Sequence, residues 1–322
     1  MRCGRKRSFG PAALALGGTM PKLAAAGAAI FALLVAFGAP SVIENPSTAW
    51  LWSLAGMTAF AMVVGVAINK RPAGLIIDNR NRVSLSKLQA LAWTLMVLSA
   101  LATAAIYRIR LGFEDPVAIT IPQELLAAMG ISAASLVAAP VVLSLKSNEE
   151  PAPGQVAHTE TALGDTGHTR HVGKVYGRAS PKKASWLDLF RGDDTGNAAS
   201  PDLSKMQQFL ITAVVLIVYA SGIWKALAGP EYVTDESNAA AFFSTFPALS
   251  TSMVWLIGIS HAGYLAYKAA PHSATAPAPQ PQPAPQPPQQ PQPQDAAKIA
   301  NALLNATADG PKAPTPRKKT VV

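Results

Sequence analysis

Apolar residues in this chain are gathered into six long runs that contain no Asp, Glu, Lys or Arg. The runs cover residues 23–43, 48–69, 88–107, 125–145, 206–224 and 237–267. A membrane-spanning helix needs about 20 predominantly apolar residues. Helices are the expected form, because lipid offers no partners to open backbone groups. The pattern therefore predicts an all-α, polytopic helical membrane protein with about six transmembrane helices.

A short sequence occurs twice and divides the later part of the chain into two similar units. LSKLQ begins at residue 85 and LSKMQ begins at residue 203, and Thr94 and Thr212 follow at the same spacing. A second match, GIS, begins at residues 130 and 258. We predict that the last four helices form two hairpin repeats, 85–145 and 203–268. The linker between them contains no span, so both hairpins enter the membrane from the same side and are parallel rather than inverted.

Charges flanking the runs predict the orientation of the helices, since Lys and Arg collect in cytoplasmic loops. The cytoplasmic loop 70–84 and the following helix start are basic, with Lys70, Arg71, Arg80, Arg82 and Lys87 against Asp78. The turn 229–238 contains acidic residues and no cation. We therefore expect a bacterial inner-membrane protein with cytoplasmic N and C termini. Arg108 and Arg110 would lie on the outer side, where we expect them to snorkel from a helix end.

The N-terminal part has two interpretations. A basic segment, 1–22, precedes two predicted transmembrane helices within 23–69. The first helix could be a signal peptide, because the sequence AFG at residues 36–38 resembles a small-x-small cleavage site. Ala28, Ala32 and Ala36 instead form a stripe of small residues that lets helices approach closely in lipid, which favours a retained and packed helix.

Two polar segments are expected to lie outside the membrane. Residues 146–202 form a polar cytoplasmic linker that we expect to be mostly disordered. One part of it, 183–191, contains Trp186 and Leu187 beside basic residues, which suits a short helix on the membrane interface. Residues 269–322 form a cytoplasmic tail rich in Pro and Gln, which predicts a disordered, stiff spacer.

The repeated sequence also predicts local structure. A Ser followed three residues later by Gln fits a capping box, which satisfies free amides at a helix start. The predicted cap residues are Ser86, Lys87, Gln89, Ser204, Lys205 and Gln207. The alternative is that these two polar collars face each other and bind a ligand or line a path. Small residues at a four-residue step predict helix-packing stripes; these are Gly130, Ala134, Ala138, Gly258, Ala262 and Ala266.

His261 is the one ionisable residue inside the sixth run. Ionisable residues within membrane segments are functional candidates. We predict a possible intramembrane polar site formed by His261 with Ser260 and Ser132. The alternative is a neutral histidine that is hydrogen-bonded near the cytoplasmic end, where Lys268 lies two turns away.

Composition excludes several classes of protein. The chain of 322 residues is 50% hydrophobic and 14% charged, whereas soluble domains contain about 25% charged residues. Membrane topology accounts for the net charge of +9, so no nucleic-acid partner is predicted. The single cysteine, Cys3, excludes an internal disulfide. A metal site on His168 and His171 is an unfavoured alternative, because nothing orders the linker in advance.

No catalytic motif is present: the sequence has no phosphate-binding loop, no zinc-protease motif and no nucleophile elbow. We therefore predict a non-enzyme without a cofactor. The favoured function is a membrane scaffold or assembly subunit, homo-oligomeric or part of a larger membrane complex. Its partners would be membrane lipid and soluble proteins bound by the linker and the proline-rich tail. The alternative is an ion channel or small-solute transporter with its path between the hairpins.

Overall fold

The computed structural model describes residues 20–164, 169–228 and 242–272 of the chain. Over these residues the secondary structure is helical, with only isolated β-bridges between loops. The described residues contain seven α-helices: α1 Met20–Val42, α2 Pro46–Asn69, α3 Leu85–Arg110, α4 Gln123–Lys146, α5 Gln155–Leu163, α6 Leu203–Ala228 and α7 Thr251–Ala269. Short 3-10 helices cover Pro72–Ile76, Pro181–Lys183 and Trp186–Leu189.

The predicted fold class is confirmed, with a change in the number of long helices. Within the described residues, five helices are long and apolar enough to cross a membrane: α1, α2, α3, α4 and α6. The sixth run yields the shorter α7, because residues 242–250 are not helical and the helix begins only at Thr251. Ser250 starts it by accepting a hydrogen bond from the Met253 amide. The basic segment 1–19 and the tail from residue 273 lie outside the described residues.

The first two helices are packed backbone to backbone. A Cβ atom on Gly56 of α2 would lie 2.6 Å from the Ala36 nitrogen and 2.7 Å from the Ala32 oxygen of α1. Ala32 and Ala36 are buried, so the predicted close approach is confirmed at these two positions, whereas Ala28 is exposed. Small side chains allow this contact because dispersion contacts between helices strengthen as their backbones approach.

Helix α3 lies at the centre of the bundle and contacts α1, α2, α4 and α6. Its Trp93 packs against Tyr219 of α6, with ring centroids 5.7 Å apart. Trp50 of α2 donates its indole N–H to the Ser99 hydroxyl of α3 at 3.0 Å. The two helix pairs α3–α4 and α6–α7 also meet through α4 and α7. Their origin as a sequence repeat stays a prediction.

At one end of the bundle, the loop after α3 meets the segment before α7. The Thr120 amide donates to the Ser244 oxygen at 2.9 Å, and the Phe246 amide donates back to the Thr120 oxygen at 2.9 Å. Arg108 is buried and donates to the Phe242 oxygen at 3.0 Å. The snorkelling prediction is therefore wrong for Arg108. Its guanidinium satisfies loop carbonyls, which explains a cation at this end of the bundle.

At the other end lies a polar cap, which we define as residues 70–84, 146–164 and 169–202. The prediction of mostly disordered structure for the linker 146–202 is wrong over its described residues. Helix α5 forms there, and bridges join Thr169 to Arg178 and Arg191 to Pro201. The sequence composition pointed to disorder because the segment has few apolar residues, but ion pairs and backbone hydrogen bonds hold it against the helix ends instead.

The cap also has a small apolar core under the 3-10 helix Trp186–Leu189. This core contains Ile76, Ile77, Val83, Leu85, Ala184 and Leu189. Ser185 and Asp188 form a reciprocal capping box at the helix start. Leu189 is buried, whereas Trp186 and Leu187 are each 55% exposed. The segment predicted as an interfacial helix therefore has one face in the cap and one apolar face turned outward.

Candidate functional site

The most concentrated chemistry in the described residues is a buried group of charges where the cap meets the helix ends. At its centre, the Asp193 carboxylate faces four cations. Its oxygens lie 2.5 Å from Lys268 Nζ, 3.0 Å from Lys205 Nζ, 3.0 Å from Arg80 Nη1 and 3.4 Å from Arg82 Nη1. All five residues have side-chain exposures of 15% or less. We call this group and its neighbouring ion pairs the ion cluster.

Three more carboxylates complete the ion cluster. Asp188 pairs with Arg178 at 2.8 Å, and Asp78 pairs with Arg80 at 2.7 Å. Asp194 lies 2.7 Å from Lys146 Nζ and 3.0 Å from His272 Nδ1. The cations come from different parts of the chain: Lys146 ends α4, Lys205 begins α6, Lys268 ends α7, and Arg80 and Arg82 precede α3. The cluster therefore joins the ends of three helices, α4, α6 and α7, to the cap.

The electrostatics of the cluster favour the ionised form of its carboxylates. Burial alone raises the pKa of Asp193, but the four facing cations outweigh it and hold this pKa well below its ordinary value of 3.8. Burial likewise opposes ionisation of Asp188, yet its hydrogen bonds from Arg178 and the charge of Arg82 lower its pKa. Burial lowers the pKa of Arg80, but Asp193 and Asp78 raise it further than burial lowers it. The carboxylates therefore stay charged where unpaired groups would neutralise.

A polar contact between α3 and α6 lies one turn further into the bundle. Gln89 Nε2 donates to the Thr212 hydroxyl at 2.7 Å, and Gln208 Nε2 donates to Gln89 Oε1 at 3.0 Å. Gln89 and Gln208 are buried. These bonds satisfy both amide nitrogens and Gln89 Oε1, whereas Gln208 Oε1 has no hydrogen-bond partner among the described residues.

The structure corrects the capping-box prediction. Ser84 rather than Ser86 caps α3, since its hydroxyl accepts from the Lys87 amide. Asp202 caps α6, accepting from the Ser204 amide at 3.0 Å and the Lys205 amide at 3.2 Å. Gln89 is used between helices, and Gln207 is exposed. A carboxylate or hydroxyl one or two residues earlier was available to each helix, and it reaches the free amides directly.

At the predicted polar site, His261 contacts Ser135, which was not predicted, and its grouping with Ser132 and Ser260 stays a prediction. His261 Nδ1 lies 2.6 Å from the Ser135 hydroxyl of α4, and both residues are buried. Ser132 and Ser260 are buried on the same two helices. Among the described residues, His261 Nε2 and the hydroxyls of Ser132 and Ser260 have no hydrogen-bond partner. Ser135 was missed because it lies one helical turn beyond the predicted Ser132.

Most residues of the predicted packing stripes lie outside the contact between α4 and α7. Gly130, Ala134, Ala262 and Ala266 are exposed, and an added Cβ on Gly130 would meet nothing within 4 Å. Ala138 and Gly258 are half-buried. Gly258 does adjoin α4, because a Cβ atom there would lie 3.7 Å from Ile131 Cδ1. The buried faces of the two helices contain other residues: Leu125, Ala128, Ser132, Ser135, Ala139, Leu143, Ile257, Ser260, His261 and Tyr264. The stripes prediction is therefore wrong at its four exposed positions.

Metal ligands are not grouped in the part of the chain that the structure describes. No set of three His, Cys, Asp or Glu residues there has the proximity to hold a metal ion. His158 and His171 are exposed, and His168 lies outside the described residues.

Comparison with models of protein families, with curated proteins and with solved structures finds no match to this chain. The functional interpretation of the chain therefore depends on the geometry of its site. The ion cluster itself was missed by sequence reasoning. A signal was present, because Asp193 and Asp194 are adjacent in the polar linker, while Arg80 and Arg82 lie in a short loop.

Proposed function

We propose that the protein is an integral membrane protein whose polar cap lies in the cytoplasm of a bacterial cell. The five apolar helices support the membrane placement. The orientation is supported by charge, since the described cap carries many Lys and Arg residues and the opposite end few. Alkaline carbonate extraction of membranes tests the placement: the protein should stay in the pellet, and its release into the supernatant would contradict the proposal.

Within the membrane, we propose a non-catalytic scaffold or assembly subunit that uses no cofactor. The single observation that carries this is the filled contact between the two helix pairs. Where a transport path would run, Gln89 and Gln208 bond to each other, and Trp93 packs against Tyr219. Transport proteins usually place charges or broken helices near the midplane, and the ionic groups here lie at the helix ends instead.

The cap and the tail are the proposed recruiting surfaces. Three helix ends are joined to the cap through the ion cluster, so the cap is a fixed platform rather than a loose linker. Its outward face presents Trp186 and Leu187 beside Lys182. This composition suits the membrane interface or a partner in a larger complex. The proline-rich tail would bind soluble proteins.

Two measurements test the scaffold proposal. Mass measurement in detergent should show a homo-oligomer or a co-purifying partner. Deletion of residues 274–322 should release soluble partners while the membrane part still folds. A monomer without partners, or retention of every partner by the truncated chain, would contradict it.

A channel or small-solute transporter is the second candidate, and one observation favours it. His261 Nε2 and the hydroxyls of Ser132 and Ser260 are buried without partners among the described residues. Buried polar atoms of this kind are suited to contact an ion or a small polar solute. Flux in liposomes decides between the two: flux lost in His261→Ala but kept in Ser252→Ala, an exposed position on the same helix, would favour transport over the scaffold.

A further inference from the structure

An open cavity of about 360 Å³ lies beside the ion cluster, between the cap and α4. Its polar lining comes from the loop before α3 and from the start of α3, including Asp78, Arg80, Ser84, Ser86 and Lys87. Arg170 and Lys268 complete the basic part of the lining. Four cations thus line the cavity together with one carboxylate.

Two of these four cations are paired with carboxylates of the ion cluster, and two are not. Lys268 pairs with Asp193 at 2.5 Å, and Arg80 pairs with both Asp78 and Asp193. Lys87 donates only to the Ile77 oxygen, at 2.8 Å. Across the described residues, neither Lys87 nor Arg170 has a carboxylate within ion-pair distance. The cavity therefore has an excess of positive charge at Lys87 and Arg170, with serine hydroxyls between.

The opposite wall of the cavity is apolar and is formed largely by α4. It contains Leu136, Ala139, Pro140 and Leu143, with Val172 and Val175 from the cap. The adjoining face of α4 exposes Val137, Val141 and Leu145. An occupant would meet cations and hydroxyls at one side and an apolar helix face at the other. That face continues directly onto the surface that lipid would cover.

We infer that this cavity binds the headgroup of an anionic phospholipid. The phosphate would lie between Lys87 and Arg170, where it neutralises the excess charge. The first part of the acyl chains would follow the α4 wall towards the bilayer. Basic pockets between helix ends on the cytoplasmic side are suited to such headgroups. The inference rests on the proposed membrane placement, and it adds a specific lipid site to it.

Native mass spectrometry of the detergent-purified full chain tests the site. Phosphatidylglycerol and phosphatidylcholine are offered at equal concentration, and the wild type should retain phosphatidylglycerol preferentially. The double variant Lys87→Gln/Arg170→Gln should reduce this retention about 30-fold, since each basic residue near the surface contributes about 1 kcal/mol. Lys182→Gln removes an exposed cap cation outside the cavity and should leave retention unchanged.

Controls distinguish loss of the lipid site from misfolding of the variant and from binding of a free anion. Arg170→Gln alone changes an exposed side chain and should still fold, and it should lower retention several-fold. Equal retention by the double variant and Lys182→Gln would overturn the inference. Inorganic phosphate offered without lipid distinguishes a free anion as the occupant: binding of phosphate together with no preference for phosphatidylglycerol would also overturn it. Failure of the lipid test while the protein stays in the carbonate-washed pellet leaves the proposed function standing.

Discussion

Replacing Asp193 by Asn tests the ion cluster most selectively, because the substitution keeps the shape and removes the charge. The carboxylate faces Lys268, Lys205, Arg80 and Arg82. In the variant, Arg80 keeps Asp78, and Lys268 keeps the Tyr264 hydroxyl at 2.8 Å. Lys205 keeps only the Arg191 carbonyl oxygen, at 2.6 Å.

The expected cost arises from leaving buried cations without their carboxylate. Breaking a buried ion pair from one side costs about 3–5 kcal/mol. For a chain of this size, that free energy corresponds to a fall in Tm of about 10 °C. Thermal unfolding of detergent-purified protein, followed by intrinsic tryptophan fluorescence, measures the shift.

A matched control is available on the surface of the cap. Glu149 pairs with Lys174 at 2.6 Å, but its side chain is 50% exposed. Glu149→Gln should change Tm little, because water and salt screen exposed pairs. Equal Tm values for wild type and Asp193→Asn, or equal losses in both variants, would refute the reasoning that burial makes this carboxylate decisive.

The contacts described above lead to three further predictions. The pKa of Asp193 is depressed, so its contribution to stability is present above the ordinary value of 3.8 and is lost as pH falls through the folded-state pKa. The Tm gap between wild type and Asp193→Asn should therefore narrow in acid below about pH 4, and a gap that widens there would contradict this sign. Gln89→Leu alone should cost about 1–3 kcal/mol by leaving Gln208 unsatisfied, whereas Gln89→Leu with Gln208→Leu should recover most of it; no recovery in the unfolding assay would count against the pair. Gly56→Ala should cost about 1–3 kcal/mol through its clash with α1, while Gly38→Ala, with nothing within 4 Å, should be tolerated; equal unfolding temperatures would show that the helices are not packed this closely.

The fold could be predicted from the sequence where hydrophobic length alone decides. Charge-free runs of about 20 residues leave little choice but membrane-length helices, and five of the six runs became such helices. The last run did not, because the helix that it yields has only 19 residues and includes the polar His261 and Lys268. Ser250 supplies a cap for α7, and the apolar residues before it are built into a loop at the end of the bundle.

The site could be predicted only in part. His261, Ser132 and Ser260 could be grouped because their positions on two helices are similar in the sequence. Only one residue of the glutamine pair was predicted to be important. That residue is Gln89, but its partner in the structure is Gln208 rather than the predicted Gln207. A shift of one residue turns a helical side chain by about 100°, so a sequence match cannot fix which neighbour faces inward.

The ion cluster and the ordered structure of the linker could not be predicted from the sequence, for a different reason. The cations of Asp193 come from residues 80, 82, 205 and 268, and only the folded chain brings them together. Composition correctly showed that 146–202 is polar. It could not show that the buried charges would be matched closely enough to offset their desolvation.

The central claim is that this is a helical membrane protein whose cap lies entirely on one side of the bilayer. The most direct test is to find the side of the membrane on which each of two connecting segments lies. Reporter fusions inserted at Asp165 and at Asp235 measure the side of the membrane on which each segment lies. We predict the cytoplasm for the fusion at Asp165 and the outer side for the fusion at Asp235. Both reporters active on one side of the bilayer would contradict this topology.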